Sequence, residues 1–231
     1  MKVEIWSDIV CPFCYIGKRK FEKALHDFEA KDEVEIIWRS FQLDPDMQFV
    51  PGQTVHEYLG KRKGTTTEEG KRMNDAMAAM AKEVGLSYDF DKAIINNTLN
   101  AHRLLHLAKE KGLQDQMKER IFAAYYTEGK DIGHNQTLIA LAVEVGLNST
   151  EVAAILKSDA YINEVQQDQY RAQQVGARGV PFYVFNDKYA VSGAQPTELF
   201  KQVLNKVWEE EKPVILQNDE KGFCTVEGVC N

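Results

Sequence analysis

The sequence predicts an α/β protein whose sheet is interrupted by a long helical insertion. Three observations carry this. Alternating segments stand at both ends of the chain, a helical pattern joins the first two, and residues 45–174 hold no convincing strand. Val3 and Ile5 alternate with Lys2 and Glu4, the period-two pattern of a strand. From Pro12 to Glu29, Phe21, Leu25 and Phe28 recur at helical spacing, and Lys18, Arg19 and Lys20 read as a solvated face. Val34, Ile36 and Trp38 then alternate with Glu35 and Arg39. Strand, helix and strand within about 40 residues make a βαβ unit with parallel strands and a right-handed crossover.

Pro45, Pro51 and Gly52 mark a loop, and helical stripes follow. Met73, Met77, Met80 and Val84 form one; core packing is the expected role, with an adaptable substrate groove as the alternative. Leu99, Leu104, Leu105 and Ala108 form the next, ended by Gly112, and Ile121, Ala124 and Tyr125 a third. Leu138, Leu141, Ala142 and Val145 form a fourth, stopped at Gly146. Ser149 is expected to cap one more. Beyond Gly179 the strand signal returns in Pro181–Phe185, turns at Asn186-Asp187-Lys188, and comes back through Tyr189-Ala190-Val191. Pro196 is expected to open a helix through Phe200, Leu204 and Val207. The expected organisation is a sheet domain from residues 1–44 and 175–212, a helical insertion domain at 45–174, and a tail at 213–231.

The 231 residues carry 35 acidic against 28 basic side chains, a net charge of −7. That balance repels phosphate backbones, and no basic stripe reverses it locally, so nucleic acid is not an expected partner. No segment reaches the roughly 18 consecutive apolar residues of a membrane helix. Glu4 and Asp8 interrupt the region where a secretory signal keeps an apolar run, so a cytoplasmic location is expected. In that compartment paired thiols are more often catalytic or metal-binding than structural.

Cys11-Pro12-Phe13-Cys14 lies where the first strand hands over to the first helix. Pro12 suits the first helical position, which makes Cys11 the N-cap. Its sulfur then faces unpaired N–H groups and the positive helix end, which lower a thiol pKa. Cys14 follows on nearly the same face, within disulfide reach. Cys11 is therefore expected as the exposed nucleophile and Cys14 as the more buried resolving thiol of a thiol–disulfide exchange. The competing reading is half of a zinc site, completed by His102 and His106 or by Cys224 and Cys230. The usual second half-spacing is absent, and no metal is expected. His102 and His106, four apart, read as polar groups at a domain junction.

Together, the βαβ unit with its Cys-x-x-Cys and the Val180-Pro181 that opens the ββα unit resemble the thioredoxin fold, and the helical insertion resembles its DsbA-like branch. Asp8-Ile9-Val10-Cys11-Pro12-Phe13-Cys14-Tyr15-Ile16-Gly17, Asn97-Thr98, Ala101-His102-Arg103, Gly179-Val180-Pro181-Phe182 and Val191-Ser192-Gly193-Ala194-Gln195 are similar to the FrnE-type oxidoreductases. The resemblance implies that Pro181 is cis and packs against the cysteines, and that Val180 offers its backbone to an extended substrate peptide. Related glutathione transferase kappa and 2-hydroxychromene-2-carboxylate isomerase enzymes typically carry serine where this chain has Cys11, which favours redox chemistry here. Thioredoxin-like enzymes often bury an acid six residues before the first cysteine, where this chain has Ile5; Glu4 and Asp8 are the nearby acids. Phe13 stands where DsbA has histidine, which implies a less depressed Cys11 pKa and a weaker oxidant.

The expected function is a thiol–disulfide oxidoreductase or isomerase acting on thiol- or disulfide-containing proteins or low-molecular-weight thiols. No cofactor is expected beyond glutathione or a similar thiol as co-substrate, and a monomer is expected. The alternatives are a glutathione-dependent transferase or isomerase on the same scaffold, and a zinc- or redox-regulated binding module. Cys224 and Cys230 are either a second redox pair serving Cys11 and Cys14 or two incidental thiols of the tail.

Overall fold

A computed structural model of the chain describes residues 1–211. Four strands, β1 (Lys2–Ser7), β2 (Glu35–Ser40), β3 (Phe182–Phe185) and β4 (Tyr189–Ser192), form one sheet in the order β2-β1-β3-β4. β1 and β2 run parallel, Lys2 opposite Glu35 through Ser7 opposite Ser40, and α1 (Pro12–His26) makes the crossover. β3 pairs antiparallel with β1, Trp6 opposite Phe182, and with β4. The hairpin turns on Asn186 and Asp187 at φ 47° and 57°, the left-handed pair that a two-residue turn demands.

β1 is buried on both faces. Val3 and Ile5 face a core of Phe21, Tyr183, Phe185, Phe200 and Leu204, closed by α1 and α9 (Thr197–Glu211). Trp6 faces the other way, among Ala172, Phe182 and Val184. Its Nε1–H donates to Asp168 O at 2.8 Å, which ties α8 (Ile162–Gln174) to the sheet.

Between β2 and β3 run α2 (Val55–Lys63), α3 (Thr67–Lys82), α4 (Leu99–Glu110), α5 (Gln114–Tyr126), α6 (Asn135–Glu144), α7 (Ser149–Leu156) and α8. α2 carries no stripe legible in the sequence; Thr54 caps it, its side chain accepting from Glu57 N at 3.1 Å. Two boundaries differ from expectation. Asn148, not Ser149, caps α7: it is the extended residue before the helix and accepts from Thr150 N and Glu151 N, while Ser149 is the first helical residue. α9 begins at Thr197, and Pro196 lies just outside with its carbonyl taking Leu199 N–H. Lys18 is not part of a solvated face. It is 2% exposed, because α5 packs over it with Asp115 and Glu119 beside its ammonium.

Candidate active site

Cys11 caps α1 in an extended conformation (φ −91°, ψ 109°) with Pro12 at the first helical position. A tight turn closes behind it, Cys11 N–H reaching Asp8 O at 3.4 Å. Its sulfur does not cap the helix with a hydrogen bond. Instead the thiol donates to Val180 O at 3.3 Å, 169 residues away in sequence. Cys14 N–H donates to Cys11 O at 2.9 Å, so both cysteines sit in the first turn, and both thiols are free. The expectation of an exposed Cys11 is corrected: it is 4% exposed and Cys14 0%. The cover comes from the Val180 segment, which the local sequence around Cys11 does not reveal.

The Val180–Pro181 peptide bond is cis. Pro181 O accepts Gly193 N–H at 2.8 Å, anchoring the segment to the end of β4. Gly17 lets α1 come this close. A Cβ there would stand 2.6 Å from Tyr183 Oη and 3.0 Å from Pro181 Cγ. Below the helix start, Tyr15 stacks on Phe122 at 4.7 Å and Tyr88 on Tyr126 at 4.2 Å, and Tyr88 Oη donates to Pro12 O at 2.8 Å. In front, a cavity of about 560 Å³ is lined by Cys11, Phe13, Met73, Met77, Tyr125 and Val180 among others. Met73 and Met77 border this cavity half-buried, and Met77 and Met80 also pack against the helical core, as expected of the stripe.

A family model for the DsbA-like thioredoxin domain matches residues 2–205. The chain belongs to the DsbA-like thioredoxin family. A probable DsbA oxidoreductase from Streptomyces coelicolor is 40% identical, with a TM-score of 0.87 over 100% of this chain and 98% of that one. The uncharacterized protein YwbO of Bacillus subtilis (strain 168) is 26% identical over 209 residues, 88% of this chain and 95% of its own length. The cytosolic disulfide reductase DsbM from Pseudomonas aeruginosa, solved with GSH, shares the fold at 17% identity and a TM-score of 0.63, over 90% of this chain and 100% of that one. The fold is therefore the DsbA-like thioredoxin fold, as the motifs imply, and these neighbours are consistent with a FrnE-type member.

In this DsbA-like protein the Cys11 thiol is pushed well above the ordinary cysteine range, opposite to the depression expected from the helix end. The hydrogen bond with the Cys14 side chain is the largest cause, burial the next, and the negative charges of Cys14 and Asp8 add to them; the Cys14 backbone N–H alone opposes. Asp8 is fully buried. Burial pushes its carboxyl up, but His102 Nε2 at 3.2 Å, Leu43 N at 2.8 Å and the Thr98 side chain outweigh that and hold it low. Burial in turn pushes His102 down, so a neutral imidazole faces an ionised carboxylate. His106 meets Asp168 Oδ2 at 3.2 Å and Ser40 Oγ at 3.1 Å, so the two histidines serve different acids rather than one centre. Among the described residues no group of three His, Cys, Asp or Glu side chains converges as a metal site, and no helix is long and apolar enough to cross a membrane. Cys224 and Cys230 lie outside the described residues.

Sequence reasoning missed Lys118. It is 1% exposed on α5, and its only hydrogen bond among the described residues goes to Ser7 O at 3.5 Å. The rings of Phe122 at 5.0 Å and Trp38 at 5.7 Å flank its ammonium. Lys118-Glu119-Arg120 reads as an exposed helix face, so no local signal marks it.

Proposed function

We propose that the chain is a thiol–disulfide oxidoreductase working through Cys11 and Cys14. The observation that carries this is the Cys11 thiol, held at a helix start against the Val180 carbonyl and opening onto an apolar cavity. Loss of one proton from the pair leaves a thiolate that the neighbouring S–H stabilises. Cys11 attacks a substrate disulfide and forms a mixed disulfide, releasing one substrate thiolate. Cys14 then attacks Cys11 Sγ, closes the internal disulfide and releases the second. Val180 and Pro181 form the edge along which an extended peptide lies, with Val180 O as acceptor. Glutathione or another small thiol is the natural co-substrate, a reading supported by the shared fold of a disulfide reductase solved with GSH. A cytoplasmic setting belongs to this reading: among the described residues the only cysteines are the two of the site.

The test is equilibration in a dithiol redox-buffer series, followed by thiol labelling and a gel shift. A reversible two-electron transition, tenfold in equilibrium constant per roughly 30 mV, is the expected result. Glutathione-dependent isomerisation of an unsaturated carboxylate with no Cys11–Cys14 couple would overturn the reading.

A further inference from the structure

Two lysines lie buried beside Trp38, Lys18 on α1 and Lys118 on α5, and they are treated differently. Lys18, one turn after Cys14 on the same face, has the carboxylates of Glu22, Asp115 and Glu119 around its ammonium. Lys118 has no carboxylate within ion-pair distance among the described residues, only Ser7 O at 3.5 Å. Both approach the same Trp38 ring, Lys18 at 6.0 Å and Lys118 at 5.7 Å. Lys118 therefore lies under the face of α1 that carries Cys14. Its bond to Ser7 also sets it beneath the turn that leads to Cys11. An unpaired buried ammonium is costly, and a methionine would fill the same apolar slot without that cost. Packing does not explain a lysine there.

We propose that Lys118 is the proton acceptor for Cys14, an inference that rests on the oxidoreductase reading. With Cys11 in a mixed disulfide, Cys14 must lose its thiol proton before it can attack. No hydrogen bond joins Lys118 Nζ to Cys14 Sγ in this state, so the neutral Lys118 amine takes that proton through one intervening water and becomes ammonium. The Cys14 thiolate bonds to Cys11 Sγ, the Cys11–substrate S–S bond breaks, and the leaving substrate thiolate takes a proton from Lys118 or water. The two cysteines are oxidised, the substrate disulfide is reduced, and no other reagent enters. Burial pushes the Lys118 ammonium down to about 8, against the raising influence of Cys14, Asp8 and Cys11 and with a small lowering by Lys18, so both protonation states are accessible near neutral pH. His102 on α4 stays neutral on Asp8, and the buried Tyr88, Tyr126 and Tyr183, which also face the cysteines, are kept protonated by burial.

The experiment follows the release of two thionitrobenzoate anions from Ellman's reagent by stopped flow. The first marks attack by Cys11, and the second marks ring closure by Cys14. In Lys118→Met the first phase is retained. The second slows by about 100-fold at neutral pH, and its pH dependence moves to the alkaline side. A second phase with the wild-type rate and pH profile overturns the proposal. If the wild-type protein itself shows no second phase, the oxidoreductase reading fails instead. Should the variant not fold, lysine-selective NMR of the wild-type chain decides. Lys118 should lose its proton at lower pH in the disulfide form than in the dithiol form, because the Cys14 charge is gone; identical titrations overturn the assignment.

Discussion

At one end of β1, Glu4 is completely buried yet fully engaged. Arg39 holds its Oε1 at 2.6 Å and Arg171 its Oε2 at 2.5 Å, while Arg39 also reaches Asp168 at 2.9 Å and His106 closes on Asp168 from α4. At the other end, the turn after Ser7 carries Asp8, Cys11 and Cys14 over Lys118, and satisfaction is incomplete. Ser7 Oγ and His102 Nδ1 have no partner among the described residues, and Lys118 has one long bond. Both clusters lie where β1 and β2 meet the helices. One seam thus serves two ends. Charges saturated with partners lock an arrangement, whereas groups left short of partners have protonation states that small events can change.

The largest effects fall at the cysteines. Cys11→Ser should abolish turnover, and Cys14→Ser should trap the mixed disulfide, visible by mass spectrometry as a stable substrate adduct. Both sulfurs lie in the hydrophobic core, so each serine variant should lose stability modestly in urea unfolding, by about 1 kcal/mol, and remain folded. A folded variant that keeps full turnover would show that the cysteines do not act.

At the saturated end the cost is stability. Glu4→Gln leaves two arginines facing a neutral amide and should cost about 3 kcal/mol in urea unfolding, with the redox couple unmoved. The same ion pairs set an acid limit. Burial works against ionisation of Glu4, yet the bonds from Arg171 and Arg39 prevail and hold it at about 2 against an ordinary 4.5. A depressed carboxylate contributes its stability in full above the ordinary value and loses it as pH falls toward the folded one. Wild-type stability should therefore decline between about pH 4.5 and 2, and Glu4→Gln should show a shallower decline over that interval.

Smaller effects belong to the supports of the site. Gly17→Ala puts a methyl group against Tyr183 Oη and Pro181, and should cost about 1–3 kcal/mol while slowing exchange. Tyr88→Phe removes the bond to Pro12 O and should cost about 1 kcal/mol, read as a shift in thermal midpoint.

The sheet was legible because its signals are local: Val3 and Ile5 alternate, and Asn186-Asp187 make the turn by their own left-handed conformations. The cysteines were legible because strand, proline and helix converge on them within a few residues. What stayed hidden depends on distant chain. Cys11 is covered by Val180, Lys18 is buried by α5, and Asp8 finds His102 94 residues on. α2 escaped because a side-chain cap starts it where an apolar stripe is lacking. Lys118 escaped because its sequence neighbours are those of a surface helix.

The bond from Cys11 to Val180 exists only while the sulfur carries hydrogen. Ionisation or disulfide formation leaves two acceptors facing each other across that gap, and the Val180 carbonyl loses its only donor among the described residues. The carbonyl is then hungry for an N–H from outside. On the proposed function, grip on an extended peptide and readiness of the sulfur depend on the same hydrogen atom.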